Sequence, residues 1–362
     1  MKTVFRVDAS AQIGTGHLAR CITLANSLRQ IGVETGFLCR ALDPFLADLV
    51  TSQGHALLAL PAPDSILDHD PQGLLHAAWL GVSQDRDVSQ CFTALGANLD
   101  LLVVDHYAID HRWERKMRGV ASCVMVIDDL ADRKHDCDIL LDQNLHGGNA
   151  GRYEALVTEN CETLIGPDYA LLRPEFSVPP TRGPNMIQRL NIFLGGTDPQ
   201  GGTLLALEAI TPICDGTLHV DVVAGGTNPH LTAIRRACDA LPGVNLHVQT
   251  KDMAKLFAAA DLAIGAGGSA TLERCNRGLA QILTSFAQNQ RPSCEAFAQA
   301  QVAVNVGEME KLSASKLRDT IISLLENPQH LRDMGERGRV LVDGKGTQRV
   351  TNRIVQITGV KA

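Results

Sequence analysis

Aromatic residues are scarce in this chain, 4% of 362 positions, with only two tryptophans and three tyrosines. A surface of interleaved aromatic and basic side chains for nucleic acid is therefore poorly supplied, and a net charge of −7 argues against bulk attraction to phosphate backbones. No nucleic-acid partner is expected. Long apolar runs are also missing. None reaches the length of a membrane span, and the first residues enter a strand without a signal-peptide pattern, so no membrane insertion and a cytoplasmic location are expected. The ten cysteines form no C-x-x-C pair, and several fall inside apolar segments, so they read as reduced core residues. Among twelve histidines there is no H-E-x-x-H helix, and no Gly-Lys-Ser/Thr follows any glycine-rich turn. Neither a zinc hydrolase nor a Walker-type triphosphatase is indicated.

What is present is a soluble α/β composition, 45% hydrophobic and 20% charged, long enough for two well-buried domains. The chain is organised around Phe5 to Arg20, FRVDASAQIGTGHLAR. Thr3 to Val7 is a short β-branched and aromatic run of the kind a buried parallel strand shows. From Leu18 the apolar positions Leu18, Cys21, Ile22, Ala25, Leu28 and Ile31 recur at three- and four-residue steps, one face of an amphipathic helix. Between them Gly14 and Gly16 let the backbone turn sharply and approach a ligand, while the free N–H groups and dipole of the helix favour an anion. His17 stands in the first turn, where the positive end of the dipole favours the neutral, proton-accepting imidazole and a nearby diphosphate would oppose it. A capping or merely exposed histidine is the other reading. Gly14, Gly16 and Ala19 also fit G-x-G-x-x-A, and Arg40 would suit a 2′-phosphate. However, Asp8 to Ile13 makes a longer loop than a dinucleotide turn needs, and a nicotinamide cofactor is not expected.

Further along, Val33 to Cys39 and Ala56 to Leu60 read as strands around a helix at Pro44 to Gln53. Pro61 to Gly73 breaks the pattern, and a poorly periodic helical stretch runs from Leu74 to about Leu95. Leu101 to Val104 is a buried strand ending in Asp105, His106 and Tyr107, where ligands gather in an open parallel sheet. Ser122 to Ile127 ends at Asp128-Asp129, and Asp138 to Leu141 and Glu162 to Ile165 are short further strands. The acidic stretch Asp128, Asp129, Asp132, His135, Asp136, Asp138 offers ligands for a divalent cation, but a solvated loop is the preferred reading and no metal is expected. Ser177 to Gln188 is proline-rich and aperiodic, the composition of a linker. The expected division is residues 1–178, a linker at 179–188, a second domain at 189–345, and a last helix at 346–362 that packs back on the first domain.

The second half repeats the plan. Leu190 to Leu194 is a strand before Gly195-Gly196-Thr197-Asp198-Pro199 and a helix from Gly201 to Ile213. Leu218 to Val223, Val244 to Val248 and Met253 to Ala259 continue the alternation. Ala263-Ile264 leads through Gly265-Ala266-Gly267-Gly268-Ser269 into a helix holding Glu273. Gln281 to Thr284 is a strand, Asn289-Gln290-Arg291 opens the next helix, and helical patterns follow at Leu317 to Leu325, Leu331 to Val342 and Thr347 to Ile357. Two glycine-rich strand-to-helix turns in one domain offer backbone N–H groups as a diphosphate cradle does. Glu273, one turn into its helix, suits ribose hydroxyls or simply the dipole.

The stretches FRVDASAQIGTGHLAR, VVDHYAID, IDDLADRKHDCDILLDQN, GPDYALLRPEF, FLGGTDP, GAGGSATLERCNRG and NQRP resemble, in order and over nearly the whole chain, the UDP-2,4-diacetamido-2,4,6-trideoxy-β-L-altropyranose hydrolases of pseudaminic acid biosynthesis. Those enzymes belong to the GT-B-like group that includes the peptidoglycan glycosyltransferase MurG. The resemblance implies two Rossmann-like domains with the active cleft between them. It also implies His17 as general base, and UDP held at Gly195, Gly196, Thr197, Gly268, Ser269, Glu273 and Asn289. Asp8, Gly14, Gly16, Arg20, Tyr107 and Arg173 would face the sugar or the cleft. The implied reaction is attack of water on the anomeric carbon with inversion and release of UDP, in the context of flagellin glycosylation or surface polysaccharide. It needs no metal or redox cofactor, because UDP is a good leaving group once its diphosphate is cradled. A glycosyltransferase using the same donor, or a non-catalytic sugar-nucleotide-binding subunit, are the alternatives; the oligomeric state is open, a monomer being plausible.

Overall fold

The computed structural model describes residues 1–10, 12–63, 73–96, 98–148, 151–176 and 189–359. The expected linker at 179–188 lies outside them. The described residues fall into two units, the first drawn from Met1–Asn144, Asn149–Leu171 and Lys345–Ala362, the second from Leu145–Gly148 and Leu172–Gly344. Arg173 therefore stands in the second unit rather than inside the expected first domain, 1–178.

In the first unit, strands β1 (Lys2–Val7), β2 (Glu34–Arg40), β3 (Ala56–Leu60), β4 (Leu99–Asp105), β5 (Ala121–Ile127), β6 (Ile139–Asp142) and β7 (Glu162–Ile165) form one parallel sheet of order β3-β2-β1-β4-β5-β6-β7. The order reverses between β1 and β4, whose register pairs Val7 with Asp105. Helices α1 (Gly16–Gln30), α2 (Pro44–Ser52), α3 (Gln84–Leu95) and α4 (His111–Met117) cover the two faces. Alternate residues of β1 feed opposite cores: Phe5 and Val7 pack with Leu18, Leu24 and Leu28 of α1, whereas Val4 packs on the side of Val88, Trp113 and Met117. Each fully buried Leu or Val of this kind stabilises by roughly 1.5–3 kcal/mol in transfer free energy.

The helical stretch expected over Leu74 to Leu95 is divided. A 3-10 turn spans Ala77–Leu80, Gly81 follows at φ +73°, and α3 starts afresh after Ser83, whose side chain accepts from the Arg86 N–H. Gly81 supplies the left-handed backbone and Ser83 the N-cap, so one poorly periodic segment becomes two elements.

The second unit repeats the winding. Strands β8 (Arg189–Phe193), β9 (His219–Ala224), β10 (Val244–Val248), β11 (Leu262–Ala266), β12 (Ala280–Ser285) and β13 (Val304–Glu308) form a parallel sheet of order β10-β9-β8-β11-β12-β13, with the reversal between β8 and β11. It carries α5 (Gly202–Ile210), α6 (Leu231–Asp239), α7 (Met253–Ala259), α8 (Ala270–Asn276), α9 (Arg291–Gln299), α10 (Ala314–Leu325) and α11 (Pro328–Leu341). The last helix, α12 (Gly346–Thr358), belongs to the first unit, where Thr351 meets Ser27 of α1 at 2.8 Å and Val350 and Ile354 are fully buried.

Candidate functional site

In each unit most of the residues singled out by sequence lie at the carboxyl ends of the strands where the order reverses, the place where open α/β sheets take ligands, while Arg173 follows β7 and Asn289 follows β12. In the first unit the turn after β1 is tied by Gly14 N–H to Ser10 carbonyl at 2.8 Å and Ile13 N–H to Ser10 Oγ at 3.1 Å, with Gly14 at φ +82°. The first turn of α1 carries no side-chain cap. His17 and Arg20, three residues apart on α1, share one face and reach the same group, Asp105 at the end of β4. His17 Nδ1 lies 2.6 Å from Asp105 Oδ1, and Arg20 grips the carboxylate with Nε at 2.6 Å and Nη2 at 2.7 Å.

Asp105 is 1% exposed. Burial alone would raise its carboxyl, but the Arg20 guanidinium and the His17 ring outweigh that and hold it far below the ordinary carboxylate range. An ionised carboxylate only accepts, so the shared proton sits on His17 Nδ1, and in the neutral ring Nε2 is the acceptor. That also makes the 3.1 Å approach of Arg20 Nη2 to Nδ1 a contact between two donors rather than a bond. The side chain of His17 keeps 11% exposure, enough to meet a ligand.

Tyr107 sets its ring edge-on to His17, centroids 4.7 Å apart, and donates its hydroxyl to Asp129. Burial first, then Asp129, raises the Tyr107 phenol well above its usual range, so it remains a donor. Asp129 also takes Arg20 Nη1 at 3.3 Å and Asn144 Nδ2 at 3.1 Å. Asp8 does not face outward as expected. It is 3% exposed, and its Oδ1 accepts from Arg6 Nη1 and the Arg40 N–H, both at 2.7 Å, with His106 Nε2 3.2 Å from Oδ2. Burial would raise this carboxyl too, and Arg6 and His106 hold it low instead. Asp8 is thus a buried anchor for the turn. Arg40 donates to Asp87 at 2.7 Å and to the Pro61 carbonyl.

The acidic stretch considered for a cation is shared out among cations of the protein. Asp128 meets Arg133 at 2.8 Å, Asp136 and Asp138 meet Arg118 at 2.7 and 3.0 Å, and His135 meets Glu114 at 2.8 Å. Among the described residues no group of three or more His, Cys, Asp or Glu is placed to hold a metal.

In the second unit the two glycine turns differ. After β8, Gly195 takes φ +109° and Asp198 takes φ +37°. The Asp198 carboxylate accepts from the Gly202 and Thr203 N–H groups, both at 2.8 Å, so the start of α5 is capped by the protein and is not open as expected. Gly196 gives its carbonyl to Gly225 N–H at 3.0 Å. After β11, Gly267 packs so tightly that a Cβ would strike Cys294 Sγ, whereas a Cβ at Gly268 would meet nothing within 4 Å. Ser269, the exposed N-cap of α8, makes no side-chain cap bond, and the Thr271 and Leu272 N–H groups turn back to the Gly268 and Ser269 carbonyls at 2.9 and 3.1 Å. Glu273, in the first turn of α8, accepts from Arg173 Nη2 at 3.1 Å and Nε at 3.3 Å. Burial raises its carboxyl, with Arg173 offsetting part of the effect. Asn289 is exposed in the 3-10 turn Gln288–Gln290 before α9. Arg173, expected to face the sugar or the cleft, is hydrogen-bonded to Glu273.

No family model matches the chain. By sequence it is 26% identical over 257 residues to the UDP-2,4-diacetamido-2,4,6-trideoxy-β-L-altropyranose hydrolase of Campylobacter jejuni, covering 71% of this chain and 81% of that protein. It is 28% identical over 260 residues to the spore coat polysaccharide biosynthesis protein SpsG of Bacillus subtilis, covering 70% of this chain and 75% of that one. Among solved structures, MurG of Acinetobacter baumannii superposes with a TM-score of 0.67 at 15% identity, covering 98% of this chain and 100% of that chain. The fold is GT-B-like: two parallel sheets wound alike, with helices on their faces.

Two groups beside His17 were not visible from spacing. His76 and Trp79 bring their rings against Tyr107, at centroid distances of 5.3 and 5.7 Å. They lie in the aperiodic segment before Gly81, where no periodic signal marks a side chain.

Among the described residues no helix is long and apolar enough to cross a membrane.

Proposed function

We propose that this chain is a UDP-sugar hydrolase that breaks the bond between the anomeric carbon and the UDP oxygen, and that its substrate is UDP-2,4-diacetamido-2,4,6-trideoxy-β-L-altrose. The observation that carries the reading is the Arg20–Asp105–His17 chain, which leaves Nε2 of a partly exposed imidazole as a proton acceptor. The likeness to the Campylobacter hydrolase, whose name states that substrate, supports the choice of sugar.

His17 Nε2 takes a proton from water as the water oxygen bonds to the anomeric carbon, and the electron pair of the breaking carbon–oxygen bond leaves with UDP. Asp105 does not take the proton; it orients the ring and stabilises the imidazolium that forms. Asp105 is thus a positioning residue. Backbone N–H groups around Gly196-Thr197 and Gly268-Ser269 receive the diphosphate charge, and Glu273 accepts from ribose hydroxyls. Asn289 completes the nucleotide set. A single displacement inverts the anomeric centre.

Turnover of this substrate in ¹⁸O-water tests the reading. Label in the free sugar and none in UDP is the expected result; label in UDP means attack at phosphorus and overturns the mechanism. Absence of turnover with water, restored by an added sugar acceptor, identifies a glycosyltransferase instead. His17→Ala should lower kcat by ~10²–10⁴-fold, the usual scale for a lost general base, with UDP inhibition unchanged.

A further inference from the structure

We propose that His76 and Trp79 form, with Tyr107, an aromatic platform that takes the apolar face of the substrate's sugar ring beside His17. The inference rests on the hydrolase reading above and names the residues that select the sugar.

Four rings form a continuous series: His76 lies 4.3 Å from Trp79 and 5.3 Å from Tyr107, Trp79 lies 5.7 Å from Tyr107 at 30°, and Tyr107 meets His17 edge-on. The scarcity of aromatics gives this weight. Of the two tryptophans, Trp113 is fully buried and donates its indole N–H to Asp87 at 2.9 Å, a core role. Trp79 and His76 are only half-buried. Among the described residues both make ring contacts and neither donates or accepts a side-chain hydrogen bond. Half-exposed rings of this kind present large apolar faces at low conformational cost. Burial, outweighing nearby Asp132, lowers the His76 ring's affinity for a proton, so it offers a neutral face rather than a charge. A sugar that lacks a hydroxyl at C6 and carries acetamido methyl groups exposes carbon–hydrogen surface, which matches such a platform. An ordinary hexose, ringed by hydroxyls, would leave those groups unpaired against it.

The test uses the full chain. Trp79→Ala should raise KM for the diacetamido sugar nucleotide by about tenfold, the scale of one lost aromatic contact, with kcat changed only a few-fold and inhibition by UDP unchanged. Trp79→Phe should restore KM to near the wild-type value, which a merely misfolded segment would not do. In the His17→Ala background, where turnover is blocked, the sugar nucleotide should shift tryptophan emission and UDP alone should not. An unchanged KM in Trp79→Ala, or equal emission shifts with UDP and with the sugar nucleotide, overturns the platform while leaving the hydrolase reading intact. Failure of the wild-type protein to turn over the sugar nucleotide would overturn the hydrolase reading instead. The emission comparison still decides the platform in that case.

Discussion

Strands β1 and β4 of the first unit and β8 and β11 of the second stand at the same reversal in the same winding, yet they end in opposite chemistry. The first pair ends in Asp8, Asp105, His106 and Tyr107, with His17 and Arg20 supplied by the following helix, and its charges are buried and mutually paired. The second pair ends in Gly195, Gly196 and Thr197 and in Gly267, Gly268 and Ser269, glycine turns in which the neighbouring Asp198 carboxylate is taken up in capping α5. On the proposed reading one scaffold serves two tasks: where a proton would move, ionisable side chains are packed together, and where the diphosphate would be received, the backbone is brought close.

The strongest way to break this contrast is Asp105→Asn. The amide keeps the size but leaves Arg20 without its anion and frees His17 to take the other tautomer, so kcat should fall by ~10²–10⁴-fold, as when a histidine base loses its carboxylate partner. Stability should fall by roughly 3 kcal/mol, the cost of breaking a buried pair, read by denaturant unfolding. The pH dependence has a definite sign. Asp105 is held below its unfolded value, so its contribution is present above about pH 4 and is lost as the pH falls below it. The stability gap between variant and parent should therefore narrow on acidification from pH 5; a gap that widens would contradict the pairing.

A smaller effect is expected from Gly268→Ala. A methyl there meets no neighbour and the backbone is not in the left-handed region, so the melting temperature should hold. UDP affinity, by calorimetry, should drop by about tenfold, near 1.4 kcal/mol, because the methyl stands where the diphosphate would approach. Unchanged affinity would mean the second glycine turn does not receive the nucleotide. The smallest effect sharpens the difference between the two glycine turns themselves. Asp198→Ala removes the cap of α5 and should cost about 1 kcal/mol, with a fall of ~2–4 °C in melting temperature and little change in kcat.

The parts of this molecule readable from sequence are those governed by neighbours along the chain. Thr3 to Val7, Leu101 to Val104 and Leu190 to Leu194 are legible as strands because buried parallel strands carry nearly continuous β-branched, aromatic and aliphatic runs, here broken at most by a single polar position inside the run, Arg6 or Asn191. His17 is legible because its glycine turn announces a helix start. Val304–Glu308 escapes notice, since Asn305, Gly307 and Glu308 interrupt the run and most of the strand is only half-buried. Asp198 reads as part of a phosphate turn, and only the folded backbone shows its carboxylate turned onto Gly202 and Thr203. The pairings of Arg20 with Asp105 and of Arg173 with Glu273 span 85 and 100 positions. No local periodicity encodes a partner at that distance.

The return of α12 to the first unit has a consequence for synthesis. Val350 and Ile354 complete the core around α1, and the space at Gly346 is so close to the Ala170 backbone that no side chain would fit. In synthesis the segment bearing His17 precedes the second unit, yet one wall of its core follows that unit. The first unit waits, with an apolar flank uncovered, while the whole of the other unit is translated and free to fold. A stalled or truncated nascent chain would present that flank to chaperones even after the intervening unit had reached its native form.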